Sequence, residues 1–99
     1  MTPTTKKKQK ISQNLKQTRF SFFAPEAQSV SIAGTFNEWN PSFHPLKQDK
    51  KGMWKISLPL PPGQYEYLFF VDGRWQVDPN CPNLVGNPFG TLNCVKTVE

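Results

Sequence analysis

Three tryptophans and a single histidine are the side chains of this 99-residue chain that most invite a chemical reading. His44 precedes Pro45 and has no cysteine, aspartate or second histidine at metal-ligand spacing, so no metal site is expected. The seven acids include no pair arranged for glycoside hydrolysis. Asp72 and Asp78 stand before Gly73 and Pro79, where turn chemistry alone favours aspartate. Neither a phosphate-binding loop nor a nucleophile elbow occurs. Cys81 and Cys94 have no histidine nearby in sequence. No catalysis and no cofactor are expected.

Binding chemistry has more support. Trp54 alternates with Ile56 and Leu58 and reads as core. Trp39 lies in the turn-rich run Gly34-Thr35-Phe36-Asn37-Glu38-Trp39-Asn40-Pro41, and Trp75 follows a hairpin tip by two residues. An exposed indole is a flat apolar platform with a polar edge. The C–H face of a glucose ring can lie on it while neighbouring amides and hydroxyls bond the sugar's equatorial hydroxyls. The same two rings can instead pack under the sheet and over the hairpin, and spacing alone leaves both readings open.

The segments carrying these rings read as strands. Arg19 to Phe22, Gln28 to Ile32 and Met53 to Leu58 alternate polar and apolar residues with period two. Gln64 to Val71 reads as a central strand, with Tyr65, Tyr67 and Phe69 on one face and Leu68 and Phe70 on the other. Asp72-Gly73 is a strong two-residue hairpin signal, and Arg74 to Val77 is the return strand. Residues 79–90 read as a loop, and Thr91 to Val98 as a last strand. Six or seven short strands punctuated by 10 Pro and 6 Gly imply an all-β fold, an antiparallel β-sandwich of immunoglobulin-like kind without the Cys…Trp…Cys framework of antibody domains.

The net charge of +5 belongs to the N-terminus. Residues 1–19 hold six bases and no acid, whereas residues 20–99 hold six bases and seven acids. Residues 1–17 read as a flexible, disordered basic tail, and 18–99 as the domain. The neutral globular part carries no electrostatic footprint for nucleic acid. Two cysteines are no disulfide scaffold, so reduced thiols are expected. No secretory signal precedes the domain, and no apolar run approaches the roughly 20 residues of a membrane helix. A soluble, cytoplasmic monomer, bound to neither membrane nor nucleic acid, is the expectation.

Three strings then carry a resemblance: Val30-x-Ile32-x-Gly34-x-Phe36-Asn37-x-Trp39, Gly63-x-Tyr65-x-Tyr67-x-Phe69-x-Val71-Asp72-Gly73-x-Trp75-x-x-Asp78-Pro79, and Asn87-x-Phe89-Gly90-x-x-Asn93-x-Val95. Over residues 18–98 the chain resembles carbohydrate-binding module family 48. That family includes the glycogen-binding domain of the AMP-activated protein kinase β-subunit and the early-set domain at the N-terminus of isoamylases. The resemblance implies an early-set sandwich that binds α-1,4-linked glucans such as glycogen, starch or malto-oligosaccharides. Trp39 and Trp75 match the sugar-gripping tryptophans, Phe89 an apolar contact, and Thr91 and Asn93 hydrogen-bonding positions. Gly34, Gly73 and Gly90 match tight-turn or close-approach positions. Leu68 departs from a lysine often found there, which implies weaker binding or a shifted site. The resemblance also implies an alternative: a domain that binds no sugar and docks a kinase-like or glycoside-hydrolase-like protein partner.

Overall fold

The computed structural model describes residues 15–99, so most of the basic leader lies outside the described residues. Eight strands follow: β1 (Lys16–Phe23), β2 (Val30–Gly34), β3 (Lys47–Gln48), β4 (Met53–Leu60), β5 (Gly63–Val71), β6 (Arg74–Gln76), β7 (Leu84–Gly86) and β8 (Leu92–Val98). All pairings are antiparallel. A three-stranded sheet has the order β1-β4-β3, and a larger sheet the order β2-β5-β8-β7, with β6 also on β5. The fold is the all-β sandwich that the period-two patterns imply.

Alternation decides what each sheet buries. Phe20, Phe22, Trp54 and Leu58 from the smaller sheet meet Val30, Ile32, Tyr67, Phe69, Cys94 and Val98 from the larger one. Phe22 lies 4.9 Å from Phe69, and Phe20 meets Tyr67 edge-on at 5.0 Å. Each fully buried Phe or Ile contributes about 1.5–3 kcal/mol, so a few large side chains suffice in so small a domain. Trp54 joins this core and donates its indole N–H to the Ala24 carbonyl at 2.9 Å.

Asp78 does more than start a turn. Its Oδ1 accepts the Asn80 N–H at 2.9 Å, while Oδ2 accepts the buried Tyr67 hydroxyl at 2.7 Å. Its own N–H donates to Cys94 Sγ at 3.1 Å. Burial, then the Asp78 bond, pushes the Tyr67 phenol far above its ordinary range. Burial likewise pushes the Cys94 thiol up to about 12. Both cysteines are free thiols.

Several boundaries differ from the periodicity, β2 running over Val30–Gly34 rather than Gln28 to Ile32 and β4 reaching Leu60, and two short strands are added, one of them β7 inside residues 79–90, which read as a loop. The first strand begins at Lys16, because Lys16 and Gln17 pair with Leu60 and Pro59. β3 is only two residues long and β7 three, and each exists through one neighbour, β4 or β8. Segments that short show no period of their own. The last strand starts at Leu92, since Thr91 closes the preceding turn.

Candidate functional site

The tip of the β5–β6 hairpin sets Trp75. Asp72 and Gly73 have φ of 48° and 84°, the left-handed pair of a type I′ turn that Asp-Gly favours. Asp72 Oδ1 accepts the Gln28 and Ser29 N–H groups, each at 2.9 Å, fixing the tip to the chain before β2. Trp75 then stands opposite Phe70 on the outer face of the larger sheet, with ring centroids 4.8 Å apart. It is 47% exposed, so much of the indole stays open to solvent beside Phe70.

Trp39 reaches the same place by another route. β2 ends at Gly34, where an added Cβ would fall 2.9 Å from Tyr67 Cβ, so only glycine lets the chain turn this close to β5. Asn37 is buried and braces the loop from inside: its Oδ1 accepts the Gly34 N–H at 2.9 Å. Its amide nitrogen bonds the Ile32 carbonyl at 3.1 Å and His44 Nδ1 at 2.9 Å. His44 thus supports the loop, and no group of three metal-ligating side chains occurs among the described residues. Glu38 and Trp39 follow at φ 58° and 59°, a left-handed pair that costs about 1–2 kcal/mol per non-glycine residue. The Asn37 bonds and the Trp39 N–H bond to the Gly34 carbonyl at 2.9 Å hold them there. The half-buried Trp39 indole meets Trp75 edge-on at 6.4 Å.

The third part is the turn between β7 and β8. Asn87 Oδ1 accepts the N–H groups of Phe89 and Thr91 at 3.0 and 3.1 Å. Asn87 Nδ2 contacts Thr91 Oγ1 at 2.8 Å and Asn93 Oδ1 at 3.0 Å. Asn93 Nδ2 continues to Glu66 Oε1 at 3.0 Å. Phe89 is left 89% exposed with nothing covering its ring, whereas Asn93 is only 6% exposed and bonded at both ends of its amide.

The sheet register joins these parts. β6 and β8 both lie along the edge of β5 opposite β2, end to end. Phe70 faces Trp75, and Glu66 faces Val95. Continuing that register sets Asn93 beside Leu68, about 7 Å along the strand from Trp75 at ~3.4 Å per residue. Leu68, opposite Asn93 on β5 and two residues from Phe70, is 8% exposed and so lies low in this face.

Of the residues singled out from sequence, Trp39 and Trp75 touch, Thr91 and Asn93 meet through Asn87, Phe89 projects from the same turn, and Leu68 is covered. Three contributors were not singled out for a role. Asn87 organises the turn, Glu66 anchors Asn93, and Phe70 supports Trp75. The run Asn87-Pro88-Phe89-Gly90 was a local turn signal for the first. Phe70's place beside Leu68 in the alternation was a signal for the third. Nothing local marks Glu66, whose partner is 27 residues away.

A helix-free sandwich that presents paired indoles beside an amide-rich turn has the make of a carbohydrate-binding module. The chain belongs to carbohydrate-binding module family 48, the isoamylase N-terminal domain family, whose model matches residues 5–88. It is 40% identical over 63 residues to 1,4-alpha-glucan branching enzyme GlgB 2 of Xanthomonas campestris pv. campestris, covering 61% of this chain and 9% of that one. It is 41% identical over 56 residues to the chloroplastic protein PTST homolog 2 of Arabidopsis thaliana, covering 57% and 10%. With the 5'-AMP-activated protein kinase subunit beta-1 of Rattus norvegicus it shares 39% identity over 72 residues, covering 73% and 25%. The chain therefore spans a quarter or less of the length of these relatives. No helix among the described residues is long and apolar enough to cross a membrane.

Proposed function

We propose that the chain is a non-catalytic, cytoplasmic module, acting as a monomer, that binds α-1,4-linked glucans by stacking glucose rings on Trp75 and Trp39. The observation that carries this reading is the half-exposed Trp75 indole, edge-on to Trp39 and about 7 Å along β5 from Asn93. Family membership and a relative named for 1,4-alpha-glucan support the ligand class. Trp75 supplies the main platform, Trp39 a wall beside it, and Phe89 an apolar contact from the neighbouring turn. Thr91 offers its hydroxyl to the sugar. Asn93, committed to Asn87 and Glu66, holds the turn and has one remaining amide proton for the ligand. Leu68 acts from beneath, as the apolar floor where a lysine would reach upward.

Stacking with few hydrogen bonds predicts a Kd of about 10⁻⁵ to 10⁻³ M, or roughly −4 to −7 kcal/mol. The test is a maltoheptaose titration followed by tryptophan fluorescence, in the wild type and Trp75→Ala. A saturable change in the wild type, weakened by at least ~1 kcal/mol in a folded variant, supports the reading. No change up to about 10 mM, equivalent to roughly −2.7 kcal/mol, overturns it.

A further inference from the structure

The outer face of the three-stranded sheet has a different chemistry. Of the eight bases in residues 15–99, six belong to β1, β3, β4 and the β3–β4 turn: Lys16, Arg19, Lys47, Lys50, Lys51 and Lys55. Asp49 is the one acid in those segments. Register puts Arg19, Phe23, Met53, Lys55 and Lys47 on the face turned away from the core, because their neighbours Phe20, Phe22, Trp54 and Leu58 are buried. Lys47 and Lys55 are directly opposed across the strands, a like-charge pair that costs stability. Asp49 takes Lys55 at 3.1 Å, the one ion pair among the described residues. Its other oxygen is spent on the Lys51 and Met53 N–H groups of its own turn.

At the end of this face beside the β3–β4 turn lies an apolar spot. Phe23 is 60% exposed and pairs with Met53 on the same face. The two line a groove of about 540 Å³ with Asp49, Lys50, Lys51 and Lys55. A ring more than half in water, with Lys50, Lys51 and Lys55 around its groove and Glu26 and Asp72 in a second hollow that it also lines, leaves apolar surface exposed and the lysines repelling one another. Both costs vanish if a ligand covers the ring and neutralises the lysines.

Charge selects the occupant. The first 14 residues carry Lys6, Lys7, Lys8 and Lys10 and no acid, so the chain's own leader is repelled. The same face of a second copy is repelled equally. A phosphate backbone would favour arginine forks over lysines, and among the bases of these segments Arg19 is the one arginine. The related stretches make up 9% and 25% of much longer proteins.

We propose that the outer face of β1–β4–β3 docks an acidic protein segment whose apolar side chain seats on Phe23 and Met53 between Lys50, Lys51 and Lys55. This surface lies on the other sheet from the tryptophans, so protein docking and glucan binding are compatible.

The test uses fluorescein-labelled Glu-Glu-Leu-Glu-Glu-Leu-Glu-Glu as the probe and reads anisotropy on the full chain. Saturable binding is expected, weakened about tenfold by K50E/K51E, since removing two opposed charges and adding two like ones is felt even through screening. Phe23→Ser should weaken it about fivefold through lost apolar contact. Trp75→Ala and K6Q/K7Q/K8Q/K10Q should leave it unchanged. The proposal is overturned if the probe does not bind, or if octaglutamate binds equally well and ignores Phe23. It is overturned equally if single-stranded DNA or phosphatidylserine vesicles bind tighter with the same residue dependence, or if sedimentation shows the chain associating with itself through this face. Because the probe contains no sugar, either result stands apart from the maltoheptaose titration.

Discussion

Two asparagines hold the two turns that flank the tryptophan face, and they do so differently. Asn37 is buried and reaches outward from the loop it braces, to the Ile32 carbonyl inside the sheet and to His44 across the next loop. Asn87 is only half-buried, and its partners Phe89, Thr91 and Asn93 all lie within six residues of it. Loss of Asn37 strands groups that are shut off from water, whereas loss of Asn87 mostly frees the N–H groups of exposed Phe89 and Thr91 and leaves only Asn93 Oδ1 buried without that partner. The Trp39 side of the face is therefore built into the fold, whereas the Phe89 side is an attachment that can change while the sandwich stands.

The sharpest way to break this contrast is Asn37→Ala. It strands the Gly34 N–H and the Ile32 carbonyl and frees the two left-handed residues that follow. Two unsatisfied groups at about 1–3 kcal/mol each predict a loss of roughly 2–6 kcal/mol, a large part of a small domain's stability. Urea unfolding should show it, together with loss of maltoheptaose binding as Trp39 leaves Trp75. A variant within ~0.5 kcal/mol of wild type would mean the loop is held by something other than this side chain.

Asn87→Ala should separate the two effects. Its freed Phe89 and Thr91 N–H groups can turn to water and only Asn93 Oδ1 loses a buried partner, so unfolding should shift by about 1–2 kcal/mol. Binding should fall about tenfold, because Thr91 and Phe89 lose their common anchor and must be ordered by the ligand. A stability loss as large as that of Asn37→Ala would erase the distinction between the two turns.

This contrast also marks what the sequence made legible. Strand alternation located Trp54 in the core, and Asp72-Gly73 located Trp75 at a hairpin tip. Both are local signals, with period or turn residue sitting in the same short segment as the ring. β3 and β7 were not legible, because two or three residues become strand only through a neighbour. The Asn93–Glu66 bond was hidden for the same reason. Asp78 was half legible: its turn role is local, but its Tyr67 partner is 11 residues back on β5. Phe23 was legible in the same partial way. It follows Phe22 on the opposite face of the strand, and the register adds Met53 as its partner there.

Phe89→Ala tests the exposed end of the second turn. The ring is almost fully in water and makes no aromatic contact in the folded protein, so unfolding should not move by more than ~0.5 kcal/mol. Contact with a glucan would bury part of it, and removing that contact should weaken maltoheptaose binding about threefold, or ~0.6 kcal/mol. An unchanged affinity would confine the sugar to the two tryptophans.

A third turn, far from the tryptophans, sharpens the comparison further because its staple is ionised. Asp49 holds the β3–β4 turn through the same side-chain-to-backbone bonds that Asn87 makes, accepting the Met53 N–H at 3.0 Å and the Lys51 N–H at 2.8 Å. Those two bonds, helped by Lys55, hold its carboxyl below the ordinary value of 3.8. A carboxyl lowered in the folded state contributes stability above its unfolded value and loses it as pH falls through the folded one. Wild type should therefore soften in acid below about pH 4. Asp49→Asn retains the turn's acceptor oxygen, so its unfolding at pH 7 should be nearly that of wild type, and the acid-dependent part of the loss should shrink. Chemical unfolding at pH 7 and pH 3 reads both. If the variant instead loses stability at pH 7 and keeps the full acid slope, the turn depends on the negative charge rather than on the oxygen. The resemblance between the aspartate and asparagine staples would then be one of shape alone.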